Sequence, residues 1–149
     1  MMLLKWLSVA DRFAKAHLDA KLAPLGINSS QHMYLLKVCA QPGVSQDSLL
    51  DSFYVHPSNV VRTVSALEKK GFIRREPSEQ DRRTWLLYPT QKALSAVPAV
   101  RAACDETEAL LISFLDGRER ESFPEALMSL GRRIAAEQGV EREGDEFDE

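Results

Sequence analysis

Cysteine is scarce in this 149-residue chain: Cys39 and Cys104 are the only two, each inside a helical apolar pattern. A disulfide framework is thereby excluded, and a reducing compartment is expected. No stretch approaches the about 18 apolar residues that a spanning helix needs. The opening MMLLKWLSV has neither a basic leader nor a small-residue cleavage site, so a soluble, unexported, cytoplasmic chain with no membrane partner is expected. The three histidines, His17, His32 and His56, stand apart, with no Cys-x-x-Cys or His-x-x-x-His pair. No metal and no cofactor are therefore expected. A phosphate-cradling Gly-rich loop, a Gly-x-Ser-x-Gly elbow and a His-Glu-x-x-His helix are all missing, and the seven glycines are spread over helix ends and turns. These absences exclude the enzyme classes that such motifs mark, and enzymatic activity is not expected.

Basic charge is also short overall, with 19 Lys and Arg against 22 Asp and Glu, but the deficit is local. Residues 141–149 hold six acids and one base, which leaves 18 bases against 16 acids in the first 140 residues, a net charge of +2. Between His56 and Trp85 the balance is seven bases to four acids. An acidic protein can present a basic surface when its charges are segregated in this way, and the acidic tail is expected to be a disordered, solubilising end.

The chain is organised around residues 56–87, HPSNVVRTVSALEKKGFIRREPSEQDRRTWLL. Pro57 suits the first turn of a helix, where the missing N–H is an orphan anyway. The helix should run over 57–70, with Val60, Val64 and Leu67 forming an apolar stripe and Ser58, Asn59, Arg62, Thr63 and Ala66 facing the other way. Gly71 supplies the positive φ just past its end. Strand-like runs at 72–76 and 84–88 flank the turn-rich PSEQDRR. A helix feeding a β-ribbon with arginines at its tip describes a winged helix-turn-helix.

Around this segment the chain reads as helices. A long amphipathic helix is expected over 2–22, on Leu3, Trp6, Ala10, Phe13 and His17, ended by Pro24, Leu25 and Gly26. Ser29 or Ser30 should cap a second helix, and Ser45 a short third one whose Leu49, Leu50 and Phe53 face inward. Past the ribbon, Thr90 should cap a helix reaching about residue 115, kinked by Pro98 and closed by Asp116 and Gly117. A last helix carries Phe123, Leu127, Leu130 and Ile134. Its start is open: Ser122 with Glu125 has capping-box spacing, yet the apolar pattern allows an earlier beginning. No internal repeat is present. The length suits a single domain.

At these residues the chain is similar to the MarR family of bacterial transcriptional regulators. The similarity runs through LAPLGINSSQHMYLLKVCAQPGVSQDSLL, VVRTVSALEKKGFIRRE and DRRTWLLYPT. Asp81, Arg83, Leu87 and Thr90 meet the family's wing signature, while Pro89 replaces its usual leucine and Ala93 its usual glycine. Both departures bear on the hinge into the next helix rather than on DNA contact. The resemblance implies a mainly α fold with a small β-wing: a winged helix-turn-helix part over 28–90, dimerisation helices over 1–24 and 91–138, and an acidic tail. It also implies a homodimeric repressor, released by a small-molecule effector, aromatic or phenolic, bound between dimer body and wing domain. The sequence does not name that pocket; Trp6, His17 and Tyr34 are its weakest-founded candidates. A redox branch of the family senses peroxide through cysteine, but no cysteine lies in the first helix here, and buried thiols are ordinarily inert packing.

Geometry assigns the contacts expected with double-stranded DNA. Ser58, Asn59, Arg62 and Thr63, at the start of the 57–70 helix, should meet the major groove, Arg62 suiting guanine and Asn59 adenine. Arg82 and Arg83 at the wing should enter the minor groove. Ser30, Gln31, Ser45 and Gln46, at helix N-termini, should present N–H groups to phosphates. Asp81 is expected to order the wing rather than touch DNA. The rival reading is a winged helix that serves only protein–protein contact. Its outer face should be richer in aromatic anchors than Ser58, Asn59, Arg62 and Thr63 are.

Overall fold

The computed structural model describes residues 2–140. In chain order the elements are α1 (Leu3–Leu22), α2 (His32–Ala40), β1 (Val44–Ser45), α3 (Ser48–Phe53), α4 (Pro57–Lys69), β2 (Ile73–Pro77), β3 (Trp85–Pro89), α5 (Gln91–Ser113) and α6 (Gly117–Glu137). The expected class is found: mainly helical, with one small antiparallel sheet in the order β1-β3-β2. The tail expected over 141–149 lies outside the described residues.

The core gathers where the apolar stripes of five helices, α1 to α5, meet the inner face of the sheet. Leu22, Leu35, Val38, Leu49, Val60, Val64, Leu67, Phe72, Leu87 and Val100 are completely or almost completely enclosed. Side chains of this size contribute roughly 1.5–3 kcal/mol each when removed from water, so this cluster, not helix propensity, holds α2, α3 and α4 together. Tyr34 and Phe53 pack against each other within it, their rings tilted by 49° with centroids 4.8 Å apart.

Helix α4 ends as its sequence dictates. Gly71 takes φ +80°, Phe72 N–H donates to the Leu67 carbonyl at 2.9 Å and Gly71 N–H to that of Glu68 at 3.0 Å. These paired bonds satisfy the last carbonyls and turn the chain so that Phe72 enters the core. Thr90 closes β3 and opens α5: its Oγ1 donates to the Gly71 carbonyl at 2.6 Å and accepts from Ala93 N–H at 3.3 Å. Pro89 is the last strand residue, paired with Ile73, and Ala93 is enclosed. The hinge therefore accommodates both departures from the family pattern.

Four local expectations are corrected. The turn before α2 is held by Asn28, not by Ser29 or Ser30: its Oδ1 accepts from Ser30 N–H at 3.0 Å and its carbonyl from Gln31 and His32. Ser45 does bond Ser48 N–H, at 3.2 Å, but it also belongs to a strand, Val44 and Ser45 pairing with Leu87 and Leu86. The wing strands lie one residue later than expected. Finally, Asp116 and Gly117 do not close α5 but open α6. The capping box is Asp116 with Glu119, Asp116 Oδ1 accepting from Arg118 and Glu119 N–H while Glu119 Oε2 accepts from Asp116 N–H. Pro98 and Pro124 both lie inside helices that continue through them.

Helices α1 and α5 pack through their middle and C-terminal parts. Thr107 Oγ1 donates to the Ala103 carbonyl at 2.8 Å, so His17 Nδ1, 3.1 Å from that oxygen, must carry the proton and donate. Lys21 pairs with the exposed Glu106 and holds its carboxyl below the usual range. The ends of the two helices, and all of α6, are another matter. Leu3, Leu4, Trp6, Leu7 and Phe13 on α1 stand in solvent, as do Phe123, Leu127, Leu130 and Ile134 on α6. No residue of α6 is buried.

Candidate nucleic-acid interface

Helix α4 projects one face from this scaffold. His56 precedes it in extended conformation (φ −71°, ψ 144°) and its ring caps the helix. Nδ1 accepts from Ser58 N–H at 3.2 Å and lies 2.8 Å from Ser58 Oγ. An accepting Nδ1 carries no proton, so the ring is in the Nε2–H tautomer and the Ser58 hydroxyl donates to it. The cap fixes the first turn, and with it Ser58, Asn59 and Arg62. Ser58 and Arg62 are exposed, Asn59 half-buried. Arg62 Nη2 donates to Asn59 Oδ1 at 2.6 Å. That bond occupies the carbonyl oxygen of the amide and leaves its two N–H donors, with the rest of the guanidinium fork, directed away from it.

Thr63 departs from the outward face assigned to it. It is only 8% exposed, and its hydroxyl bonds that of Tyr34, opposing the upward push that burial gives the Tyr34 pKa. On a helical wheel Thr63 stands about 70° from the centre of the Val60, Val64 and Leu67 stripe, which places it at the edge of the core. The outward positions missed by the sequence reading are Val61, 55% exposed, and Ser65, half-buried. The signal was available: they lie three and seven residues after Ser58, on the row that contains Arg62.

The wing is built on one carboxylate. Asp81 Oδ1 accepts from Arg83 N–H at 3.0 Å, its Oδ2 stands 3.5 Å from Thr84 Oγ1, and its carbonyl accepts from Thr84 N–H at 2.9 Å. Ser78 N–H closes the loop onto the Thr84 carbonyl at 2.8 Å. Such a turn, side chain to backbone two residues on, holds the tip in one shape. Arg82 and Arg83 at that tip are exposed, and among the described residues no carboxylate pairs with them. The strand arginines differ. Arg74 pairs with Glu76 and lies over the Tyr88 ring, and Arg75 pairs with Glu68 and lies over the Trp85 ring.

The N-terminal positions of α2 and α3 divide. Ser30 is exposed, its Oγ 2.6 Å from Asn28 Oδ1. Gln31 is turned inward, 6% exposed, and accepts from Lys70 Nζ at 3.0 Å. It thus ties the start of α2 to the end of α4. Ser45 is half-buried, its carbonyl accepting from Ser48 Oγ at 2.8 Å. Gln46 N–H donates to the Trp85 carbonyl at 2.8 Å, and its Oε1 is enclosed without a hydrogen-bond partner. The side chains of Gln31 and Ser45 therefore serve the fold.

The remaining candidates have separate surroundings. Trp6 is exposed near the start of α1, His17 bonds Thr107, and Tyr34 fills the core against Phe53 and Thr63. Burial pushes the thiols of Cys39 and Cys104 up, away from the reactive thiolate. Among the described residues no group of three or more His, Cys, Asp or Glu could hold a metal ion, and no helix is long and apolar enough to cross a membrane.

Comparison with known proteins agrees with this geometry. The MarR family model matches residues 27–85, from the residue before the α2 turn to the first residue of β3. The HTH-type transcriptional regulator YybA of Bacillus subtilis is 25% identical over 124 residues, 83% of each chain. The crystal structure of MarR is 27% identical with a TM-score of 0.77, covering 93% of this chain and 95% of that one. S. aureus MepR, solved as a DNA complex, shares the fold with a TM-score of 0.79 at 24% identity, covering 87% of this chain and 96% of its own. Matching motif, matching topology and matching length converge: residues 27–85 carry a MarR family domain, and over its length the chain is similar to winged helix-turn-helix transcriptional regulators of that family.

Proposed function

We propose that the chain is a sequence-specific regulator that binds double-stranded DNA as a homodimer on a pseudo-palindromic operator. The observation that carries this reading is the pairing of two exposed, cationic elements: the capped first turns of α4, bearing Ser58, Asn59 and Arg62, and the wing tip bearing Arg82 and Arg83, with which no carboxylate among the described residues pairs. An α-helix fits the major groove, and a ribbon tip with free guanidinium groups fits the adjacent minor groove or its phosphates. Arg62 and Asn59, linked to each other, present donors suited to guanine O6 and N7 or to adenine N7, and Val61 offers an apolar contact for a thymine methyl. Ser30, exposed before α2, would add a phosphate contact, whereas the Gln46 N–H is taken by the Trp85 carbonyl.

The dimer rests on the unburied apolar rows. Helix α6, about 30 Å long, has a stripe of Phe123, Leu127, Leu130 and Ile134 with no cover in its own protomer. The first half of α1 is in the same position. Apolar surface of this extent on a water-facing helix marks a protein interface, and a second copy related by a two-fold axis places two α4 helices about one DNA turn, roughly 34–36 Å, apart. Residues 1–24 and 91–138 are the dimer body in this reading, and 28–90 the DNA-binding part. The S. aureus relative solved with DNA has the same fold, which supports the mode of docking. Repression, with release by a small aromatic or phenolic effector, is the regulatory form that the resemblance to MarR family regulators supports. Such an effector acts only as far as it binds the two spacings of the α4 pair differently.

The test is an operator recovered by selecting bound genomic fragments, followed by Arg62→Ala with Arg83→Ala. Each dimer then loses four guanidinium groups; specific binding should disappear while the sedimentation coefficient stays that of the wild type. Undiminished binding by the double variant contradicts the assignment.

A further inference from the structure

The wing is attached to the core by apolar contact only at its base. Along β2 and β3 the inner face reads Ile73, Arg75, Pro77 opposite Pro89, Leu87, Trp85. Ile73 and Leu87 are enclosed, whereas Arg75 is half-buried and Trp85 is 39% exposed. One residue pair past Leu87 the hydrophobic core has run out. Beyond that point the connection to α4 is Glu68: both its oxygens take N–H groups of Arg75, Nε to Oε2 in close contact and Nη2 to Oε1 at 3.4 Å. The Arg75 guanidinium in turn lies over the Trp85 ring, 5.1 Å from its centroid.

Two features make this more than a surface ion pair. Glu68 sits one residue from the C-terminal end of α4, where a carboxylate opposes the helix dipole. It also sits within the most basic stretch of the chain, where an acid weakens the attraction for phosphates. A side chain unfavourable on both counts is held by two donors of an arginine that itself lies over an aromatic ring, an arrangement that fixes a geometry rather than merely cancelling charge. On the opposite edge, β3 is fixed by the Gln46 N–H bond to the Trp85 carbonyl.

We infer that Glu68, Arg75 and Trp85 are positioning residues that set the angle between the wing and the recognition helix, and so decide whether Arg82 and Arg83 reach DNA when α4 is seated in its groove. The inference rests on the DNA-binding reading above. The wing tip lies at least two strand residues plus a turn beyond Arg75, an arm of roughly 10 Å at about 3.3 Å per residue. Rocking that arm by about 15° moves the tip by about 2.5 Å, enough to break a guanidinium contact made at about 2.8 Å.

The test uses the full-length dimer and a duplex carrying its operator, with Glu68→Ala, Arg75→Met and the double variant. Electrostatics alone predicts that removing the Glu68 carboxylate tightens binding. Positioning predicts the opposite: Glu68→Ala weakens binding about tenfold or more, by about the same factor as Arg75→Met, and the double variant is no worse than either single one. The slope of log affinity against log salt becomes shallower by about two to four, since each of the four tip arginines in a dimer contributes roughly 0.9. Thermal unfolding and sedimentation, measured alongside, stay near wild type. Tighter binding by Glu68→Ala, an unchanged salt slope, or losses that add in the double variant overturn the inference while the wild type still binds DNA. A wild type that shows no salt-dependent binding overturns the DNA reading itself.

Discussion

Replacing Thr63 by Val and Tyr34 by Phe, singly and together, separates a residue of the core from a residue of the interface. Thr63 sits on α4 within one turn of Asn59 and Arg62, yet it is 8% exposed and bonded to the buried Tyr34 hydroxyl. Each single substitution nearly preserves volume but leaves one buried hydroxyl without its partner, at a cost of about 1–3 kcal/mol; removing both leaves nothing unsatisfied and is close to neutral. For a chain of this size each kcal/mol corresponds to roughly 2–4 °C in the unfolding midpoint. Each single variant should therefore melt several degrees lower, and the double variant should recover most of the loss, an interaction of about 2 kcal/mol or more. Calorimetry at one fixed protomer concentration is the assay, because a dimer's midpoint moves with concentration. Operator affinity below the melting range should be unchanged in all three. Thr63→Val with wild-type stability and a tenfold weaker complex would refute the buried placement and return the hydroxyl to the DNA face.

Three further outcomes follow from the structure. Leu127→Glu with Ile134→Glu should yield a monomer by analytical ultracentrifugation and abolish operator binding, because each carboxylate would have to be desolvated in the apolar seam at a cost of several kcal/mol; a dimer of wild-type affinity would show that α6 is not the interface. His32 donates from Nδ1 to the Ser29 carbonyl at 2.7 Å, and burial lowers its pKa from the ordinary 6.5. The unfolded state thus takes up this proton first, so the contribution is nil well above pH 6.5 and stability falls as pH drops below it; His32→Gln should flatten that part of the stability-against-pH curve, and an unaltered curve would contradict the assignment. Gly71→Ala forces an L-residue into φ +80° with open space around its Cβ, so the loss should be the conformational penalty alone, about 1–2 kcal/mol, read by chemical denaturation; a neutral substitution would mean that the turn rearranges.

What the sequence disclosed and what it hid have physical reasons. Helix α4 was legible because three signals agree at each end: Pro57 in the first turn, an apolar row at four and three, and Gly71 past the last lysine. The short strand β1 was not, since two residues carry no periodicity and Val44 and Ser45 pair only because β3 returns to them from forty residues away. The start of α6 stays open in the sequence because Asp116 to Glu119 and Ser122 to Glu125 have the same spacing and a proline is best tolerated near a helix start; the helix begins at the first box and runs on past Pro124. At α2 an Asn two residues ahead of the serines makes the turn with its own side chain, a competition that a cap rule based on residue type does not resolve. Thr63 lies inward although a binary pattern counts a polar residue as outward, because a hydroxyl with a buried partner is at home on the core's edge. Of the site, Ser58, Asn59, Arg62, Arg82 and Arg83 were named and stand exposed or half-exposed, while the inward turn of Gln31 depends on Lys70, which is close only in the folded chain.

The central claim is that the α4 face and the wing tip together meet a nucleic acid duplex. Equilibrium binding of the wild-type protein to random and to operator duplex across a range of salt tests it most directly. With Arg62, Arg82 and Arg83 contributed by each of two protomers, log affinity should fall with log salt at a slope of about −5 on operator, with weaker but still salt-dependent binding on random sequence. A flat response, or no binding to either duplex, contradicts the claim.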